Sequence, residues 1–364
     1  MIYLLLLIAF VALFVFIILL DPYGLYRGRT EEKRLPYYTW HHYNALKQHK
    51  NVDLGLLGSS AINYYDKKTF LNHYKNIFFM GVESSNIKEH LAYGRLLFDK
   101  KPRKIIFFYT FYALNPARGF QLEFKPNMVK YNNFFIDVFY QYLNKRALKD
   151  SWHYFIHLMK QGSNNTKLFF NDGRRTQLHY LNRSNYVFDD VLADYIAAMS
   201  IDPHYYNSER FKNPDSLNQG FELIKQFKED AENLGIELQF VATPVYRTTL
   251  ALKYFMGLGE TYERYREEML KIGEYIDLNL DMAFVSDPQN WWDTHHTRRG
   301  EYLSRMIVNN LYLVNSNNLE ETTRLLRPTE EEIARVEKIL DEYKRWDYMK
   351  EKINKRIELV PPIQ

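Results

Sequence analysis

The chain has 364 residues, 46% of them hydrophobic and 16% aromatic, which is ample for one large core without demanding a second domain. Its 48 Lys and Arg against 44 Asp and Glu give a net charge of +4, with the two signs mixed along the chain, so a nucleic-acid-binding footprint is excluded. Cysteine is absent, which removes disulfides, thiolate metal sites and cysteine nucleophiles together.

Residues 1–20 read MIYLLLLIAFVALFVFIILL, with no charged side chain. At roughly 1.5 Å per residue such a helix reaches about 30 Å, the thickness of a bilayer's hydrocarbon layer. The run is too long for the apolar core of a secretory signal, and no small-x-small cleavage site follows it. Asp21-Pro22 ends it, because a residue before proline resists the helical region. The expectation is a single uncleaved transmembrane anchor. Arg27, Arg29, Lys33 and Arg34 follow the span, and the positive-inside rule applied to them favours a cytoplasmic body. The function read below requires an extracytoplasmic body instead.

Residues 21–50 form a polar, aromatic-rich stem. The α/β domain is expected over 51–315. Its first strand, Val52 to Leu57, stops at Gly58-Ser59-Ser60; a second apolar run, Ile77 to Met80, stops at Gly81. A third, Lys104 to Tyr109, stops at Thr110, and a fourth, Glu237 to Ala242, stops at Thr243-Pro244. Before the fourth lies an amphipathic helix with Leu217, Phe221, Ile224, Phe227, Ala231 and Leu234 on one face, Asp215 or Ser216 to cap it and Gly235 to close it. Strands alternating with helices predict a parallel sheet, whose functional residues gather at the strands' C-terminal ends. Residues 116–214 form an insertion, helical at first and then turned at Asn171-Asp172-Gly173, which is expected to cap the sheet. Residues 316–364 make a helical tail whose narrow stripe of Ile333, Val336, Leu340 and Tyr343 suits packing on its own domain.

Two stretches carry chemistry. Gly58-Ser59-Ser60 puts a serine at a strand end, where serines also commonly cap helices. Trp292-Asp293-Thr294-His295-His296-Thr297-Arg298-Arg299-Gly300 supplies a carboxylate and an imidazole from one loop. A serine hydroxyl attacks only when a base takes its proton, and the base needs an orienting acid. The chain order Ser, Asp, His is that of serine hydrolases on α/β sheets.

These blocks resemble those of the SGNH/GDSL hydrolases. Gly58-Ser59-Ser60 is similar to their first block, and Asp293-Thr294-His295 with Gly300 is similar to their fifth. The variant resembles alginate and peptidoglycan O-acetyltransferases, and the N-terminal span with Gly-Ser-Ser resembles the membrane-anchored DltD proteins of teichoic acid D-alanylation. The resemblance covers about 52–310 and implies a flavodoxin-like three-layer sandwich with Ser60 as nucleophile and Asp293 behind the base. Its spacing to Gly300 favours His295 as that base, while an Asp-x-x-His register would choose His296. The second block implies oxyanion groups at Gly81 and Ser84, and Thr110 or Asn115 stands where the third block's Asn is missing. Arg247, Trp292 and His296 are candidates for substrate contact. His153 and His157 lack a third ligand, so no metal or cofactor is expected.

The implied activity is transfer of an acyl group, acetyl above others, to or from a cell-surface glycan or cell-wall polymer at the membrane. An integral membrane acyltransferase is the implied donor partner. The alternative is an adaptor of the same fold that has lost catalysis.

Overall fold

The computed structural model describes residues 2–20, 42, 45–82, 86–118, 148–149, 151–152, 155–156 and 188–342, with side chains of the first helix described at Ile8 and from Phe10 onward. Ser84, His153, His157, Tyr343 and the Asn171-Asp172-Gly173 turn lie outside the described residues. The chain divides into two compact units, Met1–Lys50 with Phe120–Leu178 and Asn51–Gly119 with His179–Gln364. The insertion expected at 116–214 is therefore split: its first part groups with the N-terminal residues, and residues from 179 onward belong with the sheet.

In the first unit, helix α1 (Ile2–Leu20) carries no charge and leaves Ile8, Phe10, Val11, Leu13, Val15 and Leu19 exposed. Among the described residues no helix is long and apolar enough to cross a membrane.

The second unit is built on a six-stranded sheet: β1 (Leu54–Gly58), β2 (Ile77–Gly81), β3 (Lys104–Tyr109), β4 (Glu237–Ala242), β5 (Tyr275–Asp277) and β6 (Leu313–Val314). The order is β2-β1-β3-β4-β5-β6, parallel throughout except for β6, which runs antiparallel to β5. The first five strands follow the 2-1-3-4-5 order of flavodoxin-like doubly wound sheets. Every residue of β1 and β2 is buried, as expected of parallel strands covered on both faces.

One face is covered by α3 (Ile87–Phe98), α5 (Asn218–Asn233) and α7 (Gly259–Ile272). An aromatic seam joins them to the sheet. Phe227 stacks on Phe98 at 4.9 Å and meets Phe107 edge-on at 6.1 Å, while Tyr109 meets Tyr265 at 5.6 Å. Phe108 points to the other face, since side chains alternate along a strand, and there it packs on Tyr65 at 4.7 Å. That opposite layer carries α2 (Lys67–Leu71) and α9 (Gly300–Val308), which pack together.

Helix α5 ends as its sequence implies, with Gly235 in the left-handed region at φ +71°. Its start differs. A 3₁₀ turn, Pro214–Leu217, leads into it, and the Asn213 side chain caps that turn by accepting from the Asp215 N–H. Neither Asp215 nor Ser216 is the α-helix's cap, because the proline opens the tighter turn first.

The C-terminal segment belongs to this unit. Helix α11 (Glu330–Glu342) buries Val336 and Leu340 against α4 (Phe188–Ile201) and α6 (Arg247–Phe255). Arg247 secures it. Its guanidinium is 6% exposed, bridges Glu332 at 2.6 and 2.8 Å, and donates to the carbonyls of Leu326 and Arg327. Four of its contacts go to the C-terminal segment and a fifth, longer one reaches Met282 Sδ at 3.9 Å, so Arg247 is a clamp there and not a cleft residue.

Candidate active site

The sheet's chain order reverses between β1 and β3, and the crevice at such a switch point is where ligands bind in doubly wound folds. Ser59 and Ser60 leave β1 at that edge, Gly81 ends β2, and Thr110 and Thr243 follow β3 and β4 directly. The two serines divide the roles that either could have played. Ser59 is buried and caps the 3₁₀ turn Ser60–Tyr64, its Oγ accepting from the Ala61 N–H at 3.4 Å. Ser60 is half-buried and presents its Oγ to an imidazole.

That imidazole is His296. Ser60 Oγ lies 2.8 Å from His296 Nε2, and His296 Nδ1 lies 2.7 Å from Asp293 Oδ2. A proton on Nδ1 shared with the carboxylate leaves the Nε2 lone pair free to accept the Ser60 hydroxyl proton. Asp293 is fully buried, and its second oxygen accepts the backbone N–H groups of His295 (2.8 Å) and His296 (2.9 Å). The carboxylate is thereby fixed before it orients the ring. Tyr195 of α4 adds a long contact from its hydroxyl to Asp293 Oδ2 at 3.4 Å, and burial, foremost, keeps that phenol protonated. Tyr64 flanks the His296 ring, with centroids 4.7 Å apart.

His295, favoured by its spacing to Gly300, points elsewhere. Its Nδ1 meets Thr294 Oγ1 at 2.7 Å, its ring lies edge-on to Tyr112 at 5.7 Å, and its Nε2 is buried. Burial pushes its pKa down to about 3, with Asp293 opposing the shift, so it stays neutral across ordinary pH. The reason lies in the loop. Asp293 folds back on two successive N–H groups, and that tight turn turns residue 296, not 295, toward the same carboxylate.

The loop is a small hairpin. Trp291 and Thr297 form a bridge, Trp292 N–H donates to His296 O at 2.7 Å, and Tyr246 N–H donates to Thr294 O at 3.0 Å. Trp291 is fully buried against Phe284 and Tyr246. Trp292 is half-buried beneath the Arg298 guanidinium, 4.3 Å from its ring centroid.

Gly300 locks the two halves together. A Cβ there would fall 1.7 Å from the Tyr64 carbonyl oxygen, so only glycine lets α9 press against the turn that carries Ser60. Ser304 of α9 completes the latch by accepting the Asp66 N–H at 2.9 Å.

The groups expected to hold an oxyanion are not arranged as the resemblance implies. Val82 N–H donates to Gly58 O at 2.7 Å, and alternation along the strand then turns the Gly81 N–H to the sheet's outer edge. Gly81 contributes space instead: a Cβ there would sit 2.9 Å from both amide atoms of Asn63. Asn63 is three residues beyond Ser60 in a 3₁₀ turn, whose i and i+3 side chains eclipse, so both share one face. Asn115 holds the chain after α4, donating to the carbonyls of Pro203 (2.8 Å) and Tyr205 (2.7 Å), and is not a site residue. Thr110 is buried, and the Tyr112 hydroxyl reaches both it and Ser59. Sequence reading missed Asn63, Tyr64 and Tyr195; the first had a signal in its three-residue spacing from Ser60.

Among the described residues, no cluster of His, Asp or Glu could hold a metal ion. Compared with known proteins, the chain matches no family model and no curated sequence.

Proposed function

We propose that this protein is a serine acyl-transfer enzyme of the SGNH type, with Ser60 as nucleophile, His296 as base and Asp293 as the base's orienting acid. The observation that carries the reading is the unbroken relay of 2.8 and 2.7 Å from Ser60 through His296 to a buried carboxylate. His296 Nε2 takes the Ser60 proton as Oγ attacks the acyl carbonyl. The tetrahedral oxyanion collapses, the leaving oxygen departs with the proton from His296, and an acyl-Ser60 ester remains. An acceptor hydroxyl then repeats the steps in reverse, its proton passing to His296 and finally to Ser60. The Ser60 N–H and the Asn63 amide are the oxyanion donors; one such donor contributes about 3 kcal/mol to the transition state.

The acyl group is acetyl by resemblance, and the acceptor a hydroxyl of a cell-surface glycan or cell-wall polymer. In this reading the charge-free run Ile2–Leu20 holds the protein at the membrane through apolar side chains such as those of Ile8, Phe10, Val11 and Leu19, which are exposed, without α1 being counted as a spanning helix. Anchoring places the enzyme beside an integral acyltransferase that supplies the acyl group, with the body outside the cytoplasm. A C-terminal reporter active only in the cytoplasm would contradict that placement.

A fluorophosphonate probe tests the chemistry. Labelling of the full-length protein that vanishes in Ser60→Ala supports the enzyme. A folded wild-type protein that never labels supports the alternative, an adaptor retaining the fold. The outward Gly81 N–H, which removes one expected oxyanion donor, is the observation favouring that alternative.

A further inference from the structure

The first unit carries an aromatic surface that the acyl-transfer chemistry does not use. Residues 148–149, 151–152 and 155–156 are helical, and Leu148, Trp152, Phe155 and Ile156 fall on one face at helical spacing. Trp152 is 55% exposed, although tryptophan is on average a well-buried residue, and its ring lies 5.9 Å from that of Phe155. Phe155 in turn meets Phe16 of α1 edge-on at 6.0 Å. Phe16 precedes the last residue of α1, Leu20, by about 6 Å along the axis. The contact therefore stands near the level where the charge-free run gives way to Asp21. Lys149 is exposed at the edge of the same aromatic face.

Lipid, rather than a protein groove, is the cover that fits. Ile8, Val11, Val15 and Leu19 are exposed on one side of α1, and Phe10 and Leu13 on the opposite side. Apolar side chains exposed all round a helix suit a surrounding medium, not a single docking face. A tryptophan at the boundary between apolar and polar sequence matches the aromatic belt of membrane interfaces, where the ring is buried and its N–H stays wet. A lysine beside it reaches the phosphates of anionic headgroups. We infer that the face carrying Trp152 and Phe155 is a second membrane contact of this protein, seated among the headgroups of an anionic lipid surface beside α1. A lone helix leaves the attached body free to rotate about the helix axis; a second contact off that axis fixes one side of the unit toward the bilayer. The inference rests on the membrane attachment in the proposed function and not on its chemistry.

The test uses the full-length protein reconstituted in vesicles of equal parts phosphatidylcholine and phosphatidylglycerol. Flotation on a density gradient reports attachment, and quenching of tryptophan fluorescence by lipids brominated along the acyl chain reports depth. Wild type should float and lose the emission of one more of its five tryptophans than Trp152→Phe loses. Bromines near the headgroup should quench that share more strongly than bromines near the chain end. Trp152→Phe keeps an aromatic ring at an exposed position, so it should fold and float as wild type does. A protein that stays in the aqueous fraction overturns both the attachment and this contact. A protein that floats while wild type and Trp152→Phe are quenched alike overturns this contact alone, and crosslinked dimers in those vesicles would assign the face to a second copy. None of these results depends on whether Ser60 labels, so the acyl-transfer reading stands or falls separately.

Discussion

Replacing Gly300 by alanine tests the latch between Ser60 and His296 more sharply than removing either side chain. The added Cβ would lie 1.7 Å from Tyr64 O, 2.7 Å from its carbonyl carbon and 3.1 Å from Tyr65 Cα, and all three are backbone atoms that no rotamer change can clear. Cβ contacts under 3.0 Å are essentially never seen, so α9 must retreat by at least about 1.3 Å from the turn that carries Ser60. His296 sits four residues before Gly300 on the loop feeding α9, and its 2.8 Å bond to Ser60 would open beyond hydrogen-bond reach. A displacement of about 1 Å at reacting groups costs on the order of 100-fold in rate. Overpacking adds a stability loss of about 1–3 kcal/mol. The assay is the rate of fluorophosphonate labelling of Gly300→Ala, normalised to the folded fraction from circular dichroism. Gly235→Ala is the control. It strains a left-handed residue at φ +71° with nothing within 4 Å, costs about 1 kcal/mol, and should label at the wild-type rate. A folded Gly300→Ala that labels as fast as wild type would refute the coupling.

The remaining predictions concern the histidines and the C-terminal clamp. His296→Ala should slow labelling by about 10³-fold or more, whereas His295→Gln should slow it by less than about tenfold; the reverse ranking would return the base to His295. His295 and His90 both have folded pKa values held at about 3 by burial, below the ordinary 6.5, so the unfolded chain takes up protons that the folded chain refuses. Their stabilising contribution is complete above about pH 6.5 and is lost as pH falls toward 3. The free energy of unfolding should therefore fall through that window, by about 5 kcal/mol per group at most, Tm should fall with it, and His295→Gln should flatten the decline; an unchanged pH profile in that variant would contradict the assignment. Arg247→Ala should destabilise the protein by about 2 kcal/mol, less than the ~3–5 kcal/mol for a fully buried pair because Glu332 can return to water. Limited trypsin digestion should then cut within 327–342, and a variant as resistant as wild type would remove the clamp.

Much of the scaffold was legible because its signals are local. The continuous run Lys104–Tyr109 is a strand to the residue, since a parallel strand buried on both faces needs no alternation; Glu237–Ala242 is one too, although only Phe240, Val241 and Ala242 of it are buried. Helix α5 declared itself by its apolar face and by Gly235. Strands β5 and β6, three and two residues long, offered no pattern to read. Ser60 and Asp293 were readable from residue type and chain order, because a strand-end serine and a loop acid are defined by their own neighbours.

The choice between His295 and His296 was not of that kind. It was made by Asp293 Oδ1 capturing two successive N–H groups, which sets the direction of each ring and appears only when the loop closes. Arg247 likewise looked like a cleft residue until α11, eighty-five residues away in sequence, brought Glu332 to it. Sequence determined which side chains could do chemistry at the sheet's edge; tertiary packing decided which of two adjacent imidazoles faces the serine, because orientation depends on hydrogen bonds that exist only in the folded chain.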